Sequence, residues 1–95
     1  MSQMNKKKIK IIRKKIDIID NKLLNIIGKR TNLVKKIIKI KTSKKQIIDH
    51  KRIKQVLKNI KKKSITKRID PKITNRIWKT MINSYIDYEK RNFKK

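Results

Sequence analysis

Between Ile12 and Ile40 the chain reads IRKKIDIIDNKLLNIIGKRTNLVKKIIKI, and the spacing inside this stretch decides the fold. Ile12, Ile16, Ile19, Leu23, Ile26, Arg30, Leu33, Ile37 and Ile40 step by four, three, four, three without a break, the period that lines side chains along one face of an α-helix. One position breaks the chemistry of that face. Arg30 places a permanent cation in an aliphatic stripe, and a guanidinium buried there is costly unless an anion meets it. The stripe predicts a helical bundle with an anion site inside it.

Working outward, the first helix is expected from about Asn5 to about Lys41, with Gly28 lowering the local propensity without ending it. At 1.5 Å per residue such a helix is about 55 Å long, while a compact chain of this length has a radius of gyration of about 13 Å. One chain cannot cover that stripe with what remains. An intertwined homodimer is therefore expected, with the long helices side by side. Thr42 to Ile48 reads as a connection, Asp49 as the cap of a second helix running to about Lys63, and Ser64 to Ile69 as a second connection. Asp70-Pro71 is a strong start signal, a capping carboxylate before a proline at the first helical position, for a third helix ending near Phe93. Trp78, Ile82, Tyr85 and Glu89 form its expected inner face, so a second charged group falls on an apolar seam. The fold class is all-α, with helices at about 5–41, 49–63 and 71–93 in a single domain.

Composition agrees with this and limits the function. One Gly and one Pro leave little punctuation for strands, and without Cys there is no disulfide framework and no thiolate metal site. A single His50 and few carboxylates give no metal site, and no cofactor is called for. No run is apolar for long enough to span a bilayer, so a cytoplasmic protein is expected. The net charge of +26 invites a polyanionic partner. Its distribution argues against that as the main role. The 26 Lys are spread through every segment, and Lys, Ile and Asn are all encoded by AT-rich codons, so base composition accounts for the charge. A persisting Arg is then informative, because its planar fork binds carboxylates in two-pronged fashion where Lys cannot.

Arg30 and Lys41 are eleven residues apart, near three full turns, so they share a helix face about 16 Å apart. Arg13 lies seventeen residues before Arg30, about 25 Å away and rotated by roughly 100°. It cannot reach the same site within one chain, but an antiparallel partner helix would deliver it. Arg13 of one chain with Arg30, Lys41, Asp49, Arg52 and Glu89 of the other would line a cavity of cations and two carboxyls. That set suits a small dicarboxylate carrying a hydroxyl.

The run Ile12-Arg13-Lys14-Lys15-Ile16-Asp17-Ile18-Ile19-Asp20-Asn21-Lys22-Leu23-Leu24, then Arg30, Leu33-Val34-Lys35, Lys41, Asp49-His50-Lys51-Arg52 and Ile69-Asp70-Pro71, resembles the all-helical chorismate mutase family. The resemblance covers the chain from about Lys8 to Phe93. It implies an intertwined dimer with two equivalent sites and the rearrangement of chorismate to prephenate, without a cofactor. Arg13 of the partner and Arg30 would grip the two carboxylates, and Lys41 would donate to the ether oxygen. Asp49 would accept from the ring hydroxyl, and Arg52 would reinforce the carboxylate end. Glu89 stands where the family often has Gln, so it must carry a proton to donate to the ether oxygen, which implies activity favouring acidic pH.

Two positions depart from the mutase pattern. Ile53 replaces the Glu that commonly follows Arg52, and Tyr85 stands where a small hydroxyl residue is often found. Both resemble the isochorismate-pyruvate lyase branch, which yields salicylate and pyruvate, whereas Asp49 suits the hydroxyl of chorismate. The mutase reading is preferred; the lyase and a basic helical nucleic-acid-binding protein are the alternatives. Asp17 and Asp20 are expected in surface pairs with Arg13 and lysines.

Overall fold

A computed structural model describes residues 2–94, and those residues form three α-helices and no strand. Helix α1 covers Gln3–Ile40, α2 His50–Thr66 and α3 Pro71–Asn92, with a single 3-10 turn at Lys44–Gln46 between the first two. The all-α expectation therefore holds. The chain divides into two compact units, one up to Val34 and one from Lys35 onward.

The first unit is a continuous stretch of α1. Its start lies slightly earlier than Asn5 because Ser2 caps it: Asn5 N donates to Ser2 Oγ at 3.1 Å and Lys6 N to the Ser2 carbonyl at 3.0 Å. No residue of α1 is buried. The aliphatic stripe is open, with Ile12 56%, Ile19 61% and Ile26 60% exposed.

In the second unit α2 and α3 pack on each other. Ile53, Val56, Leu57 and Ile60 of α2 are half-buried, as are Trp78, Met81, Ile82, Tyr85 and Ile86 of α3. Two hydroxyls seal this packing: Ser64 Oγ and Thr74 Oγ1 lie 2.7 Å apart, both buried. Ser64 Oγ also donates to the Ile60 carbonyl at 2.6 Å. Thr74 Oγ1 also lies 3.4 Å from the Pro71 carbonyl, so either hydroxyl can be the donor of the pair.

That contact explains why α2 passes the expected end at about Lys63 and takes in Ser64, Ile65 and Thr66. The helix then stops by a Schellman arrangement, in which Ile69 N donates to the Ser64 carbonyl at 2.9 Å and Arg68 N to the Ile65 carbonyl at 3.1 Å. Arg68 takes the left-handed conformation this requires, φ 59°, a position usually held by Gly. Helix α3 begins as its sequence signal says, with Asp70 accepting from Lys72 N at 2.9 Å and Pro71 opening the helix.

Candidate active site

Lys41 follows the last residue of α1 and Glu89 lies in the last turns of α3, 48 positions away in sequence. The second unit brings them together: Lys41 Nζ donates to Glu89 Oε2 at 3.1 Å. The Glu89 side chain is 10% exposed and that of Lys41 19%. Both are thus largely withdrawn from water, where an ion pair is stronger than at the surface and each partner alone would be penalised. One of the three ammonium donors is used on Glu89, leaving the others for a ligand. The site can therefore present N–H donors to an oxygen that gains negative charge. Glu89 can join as a donor when protonated.

The neighbouring candidates have separate placements. Tyr85 lies one turn before Glu89 on the same face of α3 and is half-buried. Asp49 caps α2, its Oδ1 accepting from Arg52 N at 3.0 Å, and its residue is exposed. Its second carboxylate oxygen has no partner among the described residues, so capping leaves an acceptor in reserve. The Arg52 guanidinium is exposed and donates from Nη1 to Gln55 Oε1 at 3.3 Å. Ile53 is half-buried and offers no hydrogen bond from its side chain.

In the first unit, Arg30 is half-buried where the α1 stripe carries it, and Arg13 is exposed. The expected pairing of Asp17 or Asp20 with neighbouring cations does not form: neither carboxylate has an ion-pair partner among the described residues. Exposed pairs gain little over separate hydration and lose side-chain entropy, so i,i+4 spacing alone does not hold Arg13 to Asp17.

Sequence reasoning placed Lys41 and Glu89 around one ligand but missed that they pair with each other. No local pattern encodes that, because the two helices meet through rotation and register. It also passed over Gln46, whose side chain accepts from three donors in the α1–α2 connection. A signal was present: Ser43-Lys44-Lys45-Gln46 has the Ser-x-x-Gln form of a capping box.

The described residues thus form three helices, with the Lys41 ammonium set against the Glu89 carboxyl. The family model described as chorismate mutase type II matches residues 12–90, and the chain belongs to that family. No curated protein and no solved structure gives a significant match.

Proposed function

We propose that this chain is a chorismate mutase, converting chorismate to prephenate as an intertwined homodimer in the cytoplasm. Family membership supports chorismate mutase-type activity. The observation that carries the residue-level reading is the contact of Lys41 with Glu89, the two groups that the resemblance assigns to the ether oxygen.

The reaction is a unimolecular rearrangement: the ether C–O bond breaks, a C–C bond forms, and no atom is gained or lost. It needs no nucleophile. The protein has to hold the compact diaxial form of the substrate and stabilise the charge that grows on the ether oxygen. Lys41 donates to that oxygen, and Glu89 in its protonated form adds a second donor. Arg30, with Arg13 from the partner chain, holds the two carboxylates. Asp49 accepts from the ring hydroxyl through the oxygen that capping leaves unused, Arg52 strengthens the carboxylate end, and Tyr85 packs beside the substrate.

The open stripe of α1 supports the dimer. A second copy is the natural cover for a face repeating every three or four residues over the whole helix, and it would bring Arg13 to the site. No described helix is long and apolar enough to cross a membrane, and a cytoplasmic location suits a biosynthetic family.

Offering chorismate and isochorismate separately to the purified protein and identifying the products tests the reading. Prephenate from chorismate is expected; salicylate and pyruvate from isochorismate alone would establish the lyase instead. Ile53 and Tyr85 favour that second reading, whereas Asp49 favours the first. Retention on nucleic acid that falls steeply with salt, without turnover of either substrate, would mark the basic surface as the main function. The role of Glu89 has its own test: Glu89→Gln, which keeps an N–H donor beside Lys41, sustains turnover, and Glu89→Ala lowers it. Undiminished turnover in Glu89→Ala removes Glu89 as the donor.

A further inference from the structure

The connection from Lys41 to Asp49 contains neither Gly nor Pro, so its turn has to be held by side chains. Just past α1, the backbone N–H groups of Thr42 and Ser43 both donate to Gln46 Oε1, at 2.6 and 3.2 Å, and Thr42 Oγ1 lies 3.3 Å from the same oxygen. Among the side-chain atoms of glutamine only the carbonyl oxygen accepts from N–H groups, so the amide has one orientation that fits. Gln46 N in turn donates to the Ser43 carbonyl at 3.2 Å, and Ile47 N to the Lys44 carbonyl at 3.1 Å. Ile47, the next residue, is 5% exposed and anchors the turn on its inner side.

We infer that Gln46 is a positioning residue for Lys41. The Lys41 backbone is held from one side by α1, through its N–H to the Ile37 carbonyl at 3.0 Å. On its other side the chain enters the turn that Gln46 closes. A lysine side chain has four flexible carbons, and its ammonium is aimed only as well as its backbone is placed. The contact of Nζ with Glu89 Oε2 at 3.1 Å therefore depends on the amide of Gln46, five residues further on. The same clamp precedes Asp49 by three residues, so one side chain braces the segment between two site groups. This role for Gln46 in catalysis rests on the proposed mutase function; its role in holding the ion pair does not.

The test uses the full chain with Gln46→Ala and Gln46→Glu, the latter retaining an acceptor for the three donors. Two readouts are taken: the nuclear Overhauser contact between the Lys41 ε-methylene and the Glu89 γ-methylene, and kcat and KM for chorismate alongside the melting temperature. Gln46→Ala is expected to lose the contact, speed amide exchange at Thr42 and Ser43, and lower kcat by roughly tenfold to a hundredfold, the scale of a small misplacement of a catalytic group. KM and the melting temperature should stay near wild type, and Gln46→Glu should restore both the contact and kcat. An intact contact in Gln46→Ala, a kcat within about twofold of wild type, or a loss of kcat that follows the melting temperature overturns the inference. Absence of turnover in the wild type would overturn the mutase reading instead, and the contact alone then decides whether Gln46 positions Lys41.

Discussion

The hairpin of α2 and α3 and the long run of α1 draw on the same residues, Ile and Lys at helical spacing, and end in different states. In the hairpin, Ile53, Val56, Leu57 and Ile60 are half-buried, and the buried Ser64 and Thr74 satisfy each other. Along α1 the aliphatic face stays open, Leu23 being 50% exposed and Leu33 58%. Amphipathic periodicity thus specifies which face seeks cover but not where the cover comes from. The hairpin finds it a few residues on, across a short turn. The aliphatic side chains of the α1 stripe stay exposed, and burial of each is worth about 1.5–3 kcal/mol. That gain is what a second chain would collect.

The largest expected effect tests this contrast. Leu23→Asp puts a carboxylate in the middle of the open stripe, twice in a dimer, and should abolish both dimer and turnover; sedimentation at a dimer mass with full activity would show that the stripe is not the interface. Arg30→Ala comes next. If the proposed dimer and substrate contacts hold, it should leave the dimer intact but remove two charge-assisted hydrogen bonds to substrate, about 1.5–3 kcal/mol each, which corresponds to a loss of roughly 10²–10⁴-fold in kcat/KM. Unchanged turnover in that variant rules out Arg30 as a substrate-binding residue.

Within the hairpin the effects are on stability. Thr74→Val leaves Ser64 without its buried hydroxyl partner and should cost about 1–3 kcal/mol, read from denaturant midpoints; combining it with Ser64→Ala should recover most of the loss, and strict additivity would show that the hydroxyl pair carries no coupling. Smallest is Arg68→Gly, which relieves the left-handed conformation at the end of α2 and should raise stability by about 1 kcal/mol. A loss there would mean that the arginine side chain is holding something that the backbone argument omits.

Legibility in the sequence followed the range of the interactions. Asp70-Pro71 and Asp49 were readable as helix starts because a cap bonds backbone groups two or three residues away. The end of α2 was not, since Ser64 looks like a turn residue until Thr74 is seen to hold it inside the helix. Lys41 and Glu89 could each be picked out, one by its spacing from Arg30 on α1 and one as a charge on the α3 seam, yet their pairing was invisible.

The sequence by itself determined that this protein is all-helical, where α3 starts, and that α1 carries an uncovered aliphatic face interrupted by Arg30, because periodicity and capping act over a few residues of one chain. Only the tertiary structure decided that Lys41 meets Glu89 and that Ser64 meets Thr74. Those contacts depend on the rotation and register of helices far apart in sequence, and a spacing pattern within one helix carries no information about the angle at which another will meet it.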